Sequence, residues 1–390
     1  MQIPYGKHFI DRDDIKNVSK VLKTQSITQG PLISKFEKAI CKLLNVKYAV
    51  AVSSCTAGLH IAVQSIKKKN SQILTSPVSF VSTANSALFN DLKPIFVDIN
   101  SKNLNIDLEK VKTAVKKNNR IGAIIPVHLG GVASGSKEIF NIAKKKKIFI
   151  IEDAAHSFGG RYEDGSLIGS CKYADMSVFS FHPVKTITTG EGGVITTNSK
   201  DLFLKLQVLR NHGIQKNKKY FKNKKLAYTN KKINPWYYEM VDLGFNYRIT
   251  DIQCALGISQ LKKLKKILNK RKEIAKFYDK KLFNIDGLSL MQSNDRLRSS
   301  NHLYIIGIDF KKIKIKKNVF MKKLLKKGIT TQLHYIPIPM HPYYSSMGYN
   351  MKKLSNAYKY YEKALSIPIF FQLSKKNLEK IVNNLKKLVK

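Results

Sequence analysis

From residue 36 to about residue 200 the chain alternates between two textures, apolar residues at helical spacing and short runs rich in Val and Ile. Phe36 to Leu44 and Thr56 to Ile66 repeat their apolar positions with a period close to that of an α-helix, and between them Tyr48 to Val52 is a short unbroken apolar run. Further strand-like runs lie at Gln72 to Thr75, Pro94 to Asp98, Ile121 to Val127, Ile148 to Glu152, Asp175 to Phe181 and Gly193 to Thr197. Strands and helices that alternate in this way form crossover units on a mostly parallel sheet, so the expected class is α/β.

After Asn211-His-Gly213 the periodicity fades, and Lys216 to Lys232, rich in Lys, Asn and Tyr, predicts an exposed loop. Helical spacing resumes from about Ile249 to Leu268, and lysine-rich helical stretches then mix with strand-like segments such as Leu303 to Ile308. With 390 residues the chain exceeds the roughly 250–300 that one core supports. A large domain over 1–250 and a smaller C-terminal α+β domain over 251–390 are expected, without internal repeats.

Composition narrows the class further. The 43% of hydrophobic residues is that of a globular protein, and no apolar stretch approaches the ~20 residues that cross a bilayer. The N-terminus is acidic early and has no apolar signal core, which points to a cytoplasmic protein with no membrane partner. Cys41, Cys55, Cys171 and Cys254 lie far apart, so they read as reduced thiols, with no metal site.

The formal charge of +44 taken alone suggests nucleic acid, but its distribution argues otherwise. Lysines are scattered from Lys7 to Lys390, and runs such as Lys144 to Lys147 sit between apolar positions as solvated helix faces. Composition bias that raises Lys, Asn and Ile together accounts for the excess. No helix-turn-helix or zinc signature is evident, so nucleic acid is not an expected partner, whereas anionic substrates are favoured.

Three segments carry candidate chemistry. Ile148-Phe-Ile-Ile-Glu-Asp153 is an apolar strand that ends in two carboxylates, which places Asp153 at the edge where open α/β sheets bind ligands. A carboxylate there holds a cationic partner or caps the next helix. Lys185 follows 32 residues later, in Ser180-Phe-His-Pro-Val-Lys-Thr-Ile-Thr-Thr-Gly-Glu-Gly-Gly193, a segment whose only other charge is Glu191. Such a lysine can be desolvated enough to present a neutral, nucleophilic amine. Ser53-Ser-Cys-Thr-Ala-Gly58 joins a strand to a helix start, which makes either a phosphate cradle or an ordinary N-cap.

With these segments in order, the chain resembles the DegT/StrS-type sugar aminotransferases, pyridoxal 5′-phosphate (PLP) enzymes of fold type I. The resemblance spans essentially the whole length and extends to Ser26 to Gly30, Thr75 to Asn85, Gly244 to Arg248, Ser300 to Tyr304 and Gln332 to Tyr335. It implies PLP as cofactor, Lys185 as the Schiff-base lysine and proton shuttle, and Asp153 as partner of the ring nitrogen. His156 falls near the ring hydroxyl, and Phe80 falls where an aromatic stacks on the ring, although the sequence alone favours core packing for Phe80.

The same resemblance assigns the phosphate to Cys55, Thr56 and Ala57, the Ser180 hydroxyl, and Asn246 from the other subunit of a homodimer with shared active sites. Taken singly, Asn246 reads as a turn residue. Tyr5, Thr28, His182, Gln332, His334 and Tyr335 fall where the family meets its nucleotide sugar. One departure is Ser54-Cys55-Thr56, where much of the family has Asn-Gly-Thr, so backbone contacts are expected to persist while side-chain contacts at 54 and 55 need not.

The implied reaction is ping-pong transfer of an amino group from L-glutamate to C4 of a UDP-linked 4-keto-6-deoxy-N-acetyl-L-altrose sugar, the pseudaminic acid branch of the family. Another nucleotide-linked keto sugar is the alternative substrate. A non-catalytic regulatory member is the alternative class, against which the presence of Lys185 together with Asp153 argues.

Overall fold

The computed structural model describes residues 2–389. Its centre is a seven-stranded sheet of β1 (Tyr48–Val52), β2 (Gln72–Thr75), β3 (Lys93–Phe96), β4 (Ile121–Ile125), β5 (Phe149–Asp153), β6 (Met176–Ser180) and β7 (Gly193–Thr197). The spatial order is β1-β7-β6-β5-β4-β2-β3. Five neighbouring strands, from β6 to β3, pair in parallel, and β7 runs antiparallel to both β1 and β6. Every residue of β2, β6 and β7 is buried, which explains why these strands read as unbroken apolar runs without alternation.

The helix Cys55–Ile66 buries ten of its twelve residues and lies against the sheet, whereas Leu108–Lys117 and Ser136–Lys145 bury one stripe and turn their lysines to solvent. At Thr250 the chain enters a 32-residue helix, Asp251–Leu282, opened by a capping box between Thr250 and Gln253. Asp251 is fully buried, and its carboxylate accepts from the backbone N–H groups of Gly30 (2.7 Å) and Leu32 (2.9 Å). It thereby satisfies the helix Pro31–Leu44, whose own N-cap, Gly30, has no side chain to do so.

Beyond the long helix a three-stranded antiparallel sheet, Leu288–Leu290, Tyr304–Ile308 and Ala364–Ile367, packs with its helices around a second apolar core. Ile3 from the N-terminal segment joins that core, and its N–H donates to the carbonyl of Gly328 at 2.7 Å. Arg271, on the long helix and 2% exposed, donates Nη1 to the carbonyls of Asn301 (3.2 Å), His302 (3.2 Å) and Ile369 (3.1 Å). Burial pushes this guanidinium down to about 10, and three carbonyl dipoles take the place of a carboxylate.

The segment Lys216 to Lys232 is largely exposed, as expected, but it is a small folded excursion rather than an irregular loop. It holds a 3₁₀ turn at Lys218–Tyr220, a helical turn at Lys224–Ala227 and a hairpin that pairs Tyr228–Thr229 with Lys232–Ile233. Asn217 and Asn223 cap the two turns, and Asn230 and Lys231 take positive φ (49° and 64°) in the hairpin bend. Local side-chain caps, with Phe221 and Ala227 buried beneath, order it without apolar periodicity.

Candidate active site

The C-terminal ends of β5 and β6 open into a cavity of about 600 Å³. Asp153 ends β5, is 5% exposed, and faces the cavity. Its Oδ2 accepts from Thr83 Oγ1 at 2.5 Å and its Oδ1 from the Ala155 N–H at 3.2 Å. Burial raises its proton affinity above the ordinary carboxylate range; Thr83, Ala155 and the positive charge of Lys185 oppose that shift without cancelling it. A carboxylate in this state lacks a full counter-charge and suits a cationic ring nitrogen. Glu152, one residue earlier, points to the opposite face, where Tyr162 and Ser177 donate to it and His128 Nε2 lies 3.1 Å away.

Lys185 lines the same cavity on the loop between β6 and β7. Desolvation pushes its pKa down to about 8, opposed by the negative charge of Asp153 and by Cys55. At neutral pH about a tenth of such amines are unprotonated, against fewer than about one in a thousand for a solvated lysine. The loop is fixed by the Lys185 N–H donating to the His182 carbonyl at 2.9 Å.

The start of the helix Cys55–Ile66 forms the floor. Ser54 is its N-cap, and the Ser54 hydroxyl accepts from the Ala57 N–H at 3.1 Å. The Gly58 N–H goes to the Ser54 carbonyl at 3.0 Å, which leaves the N–H groups of Cys55 and Thr56 as the first-turn donors for an anion. Ala57 lies beneath, buried, with its donor already used. Gly193 allows β7 to approach this turn, because a Cβ there would stand 2.7 Å from the Ser54 carbonyl carbon and 2.8 Å from the Cys55 nitrogen. Ser180, at the end of β6, adds a buried hydroxyl to the lining.

The remaining walls are aromatic. Phe80 is 57% exposed and lines the cavity, so it is not core, contrary to what the sequence alone favours. His156 is buried; its Nδ1 accepts from the Gly130 N–H at 3.3 Å and its Nε2 meets the Tyr335 hydroxyl at 3.0 Å. That pattern makes Nε2 the protonated nitrogen, and desolvation holds the ring's pKa far below its ordinary value. His334 Nδ1 pairs with Ser366 Oγ at 2.9 Å, and burial pushes its pKa down to about 3. Tyr5, Gln332 and the exposed His182 complete the rim.

Of the residues singled out from the sequence, the cavity gathers Tyr5, Cys55, Thr56, Phe80, Asp153, His156, Ser180, His182, Lys185, Gln332, His334 and Tyr335. Thr28 and Asn246 do not line it: Thr28 bridges to Thr250 and Asn246 to Asn211. Sequence reasoning missed Thr83, Ser79 and His302. Ser79 Oγ meets Thr83 Oγ1 at 2.6 Å, so a hydroxyl pair backs Asp153. Thr83 and Ser79 fall within Thr75 to Asn85 and His302 within Ser300 to Tyr304, segments that carry the family resemblance, but no local spacing marks any of the three.

The free N–H groups at the helix start, the under-neutralised Asp153, the exposed face of Phe80 and the desolvated Lys185 together fit a phosphorylated, cationic, flat aldehyde cofactor. Comparison with known proteins agrees. The model of the DegT/DnrJ/EryC1/StrS aminotransferase family matches residues 8–386. A UDP-4-amino-4,6-dideoxy-N-acetyl-β-L-altrosamine transaminase of Campylobacter jejuni is 39% identical, over 98% of this chain and 96% of its own. The spore coat polysaccharide biosynthesis protein SpsC of Bacillus subtilis is 34% identical, over 100% and 97%. Helicobacter pylori PseC, an aminotransferase involved in the biosynthesis of pseudaminic acid, superposes with a TM-score of 0.89 at 31% identity, over 100% and 99% of the two chains.

Proposed function

The chain belongs to the DegT/DnrJ/EryC1/StrS aminotransferase family and is a PLP-dependent sugar aminotransferase, and we propose that it moves the amino group of L-glutamate to C4 of a UDP-linked 4-keto-6-deoxy-N-acetyl-L-altrose sugar. The observation that carries the chemistry is the convergence of Lys185, Asp153 and the open helix start on one cavity. When bound, PLP supplies an electron sink that labilises the donor's Cα–H bond and carries nitrogen between the two substrates.

The chain's own residues do the rest. Lys185 Nζ, unprotonated in part at neutral pH, takes the proton from Cα of the donor and returns one on the path to product. Asp153 would keep a proton on the ring nitrogen, and the Thr83 hydroxyl, which donates to its Oδ2, favours the ionised form of Asp153. The Cys55 and Thr56 N–H groups and Ser180 would hold the phosphate, Phe80 would stack on the ring, and His156 would stand beside the ring hydroxyl, oriented by Tyr335 and Gly130. Tyr5, His182, Gln332, His334 and Tyr335 meet the substrates, and their hydrogen bonds choose which face of the ketone is presented.

The likeness to the altrosamine transaminase over nearly the whole of both chains supports the choice of sugar. A cytoplasmic homodimer with shared sites completes the reading: Thr28 and Asn246 stand away from this chain's cavity, available to a second subunit, and Trp236, Tyr238, Met240 and Leu243 are more than half exposed. Among the described residues no helix is long and apolar enough to cross a membrane. The deciding experiment competes the 4-keto-L-altrose substrate against its D-gluco 4-keto epimer with glutamate as donor, products being identified by mass and NMR. A preference for the epimer in kcat/KM would refute the sugar assignment and leave the aminotransferase chemistry intact.

A further inference from the structure

Lys185 is the only lysine, and there is no arginine, among the described residues that line the cavity. Its walls instead carry three buried histidines: His156, His302 and His334 are 6%, 4% and 7% exposed. His156 and His334 each have a hydrogen-bond partner on the ring, but His302 Nδ1 is buried and has none. The His302 ring stacks obliquely on His156, with centroids 4.5 Å apart, and its backbone is pinned from both sides. The His302 N–H donates to the Gly130 carbonyl at 3.1 Å and its carbonyl accepts from the buried Arg271 at 3.2 Å.

An unpaired buried atom on a rigid pocket residue calls for an explanation. A buried N–H without a partner is rarer than a buried acceptor without one, so Nδ1 is the bare nitrogen and Nε2 carries the proton. With Nδ1 shut away, the ring edge that bears Nε2–H is the one the cavity reaches. The site has to accept two unlike substrates in turn, a dicarboxylate and a sugar ketone. An arginine would suit the first and be left buried and unpaired against the second, at a cost of several kcal/mol. A neutral imidazole N–H serves a carboxylate and a carbonyl or hydroxyl oxygen alike.

We propose that His302 is a substrate-contacting residue whose Nε2–H donates to the carboxylate of the amino donor in one half-reaction and to an oxygen of the sugar in the other. This rests on the two-substrate reading above. Two measurements separate its failure from that of the reading. In ¹⁵N-histidine-labelled protein without cofactor, the His302 side chain, assigned by its loss in His302→Gln, should show the neutral Nε2–H tautomer throughout the neutral pH range. An Nδ1–H tautomer or a protonated ring overturns the proposal whatever the activity.

In the loaded enzyme His302→Phe should lower kcat/KM about 10- to 100-fold in each half-reaction measured alone, the loss expected when a hydrogen bond to a charged or polarised oxygen goes. His302→Gln, which keeps an N–H donor, should recover most of it. A loss in only one half-reaction, in neither, or equal in both variants overturns the shared-donor assignment. If wild-type protein turns over no donor and no keto sugar, the proposed function fails and the tautomer still decides what His302 presents.

Discussion

Thr83→Val tests whether Asp153 is held ionised by design. The substitution keeps the branched shape in a site with no solvent exposure and deletes the hydroxyl that donates to Asp153 Oδ2 at 2.5 Å. A hydrogen bond to a buried charge is worth about 1.5–3 kcal/mol, and one pKa unit is about 1.4 kcal/mol, so the loss raises the Asp153 pKa by about 1–2 units. The sign is fixed, because the hydroxyl stabilises only the ionised form, and burial already holds this carboxyl above its ordinary value. Because the carboxylate is what keeps the ring nitrogen protonated, the acid limb of kcat/KM should move up by about 1–2 pH units while the plateau at higher pH stays near wild type. Thr83→Ser, which restores a donor, should return the limb. The assay is kcat/KM against pH, with cofactor release measured in parallel. An acid limb that stays put in Thr83→Val would refute the reasoning, since Asp153 would then owe its charge to something other than Thr83.

Lys185→Ala should abolish the borohydride-trappable link between protein and cofactor, checked by mass spectrometry of the reduced protein; a trapped cofactor on any other lysine contradicts the assignment. Without cofactor, Lys185 has a folded pKa of about 8 against the usual 10.5, so between those values the unfolded chain binds more protons and stability rises with pH. Lys185→Met should flatten that rise, which amounts to up to about 3 kcal/mol, and equal slopes of urea midpoint against pH in the two proteins would rule it out. Phe80→Ala should weaken PLP binding by about 1 kcal/mol or more while leaving the unfolding midpoint nearly unchanged, because an exposed ring contributes little to the core; a large fall in stability would return Phe80 to a packing role.

Much of the large sheet was legible because most of its strands are buried on both faces, β3 excepted, and so stand out as apolar runs: β1, β2 and β7 begin and end where those runs do, and β3 to β6 differ by one or two residues. The Lys216 to Lys232 excursion was not legible in the same way, since capping asparagines rather than apolar spacing order it. Asp153 could be found because it ends a strand at the C-terminal edge of the sheet, a place that local pattern predicts, and Lys185 because it is the one lysine in the nearly uncharged loop that follows another strand.

Thr83 and His302 could not be found that way, for a physical reason that also says what they do. The Thr83 hydroxyl meets a carboxylate 70 residues away, and His302 reaches the cavity from the loop that leads into the C-terminal sheet, held there by Arg271. Neither contact has a period or a local spacing, because each joins segments far apart along the chain: Thr83 to Asp153 on the large sheet, and His302 to Gly130 and Arg271. Phe80 shows the same limit from the other side: as a letter in an apolar segment it belongs in a core, and only the fold leaves its face 57% open. Local sequence thus locates the groups that do the chemistry. The groups that set their charge and meet the substrate arise where distant segments of the chain meet, which is why variants at Thr83 and His302 separate this site from a generic lysine-and-aspartate pocket more sharply than variants of Lys185 or Asp153.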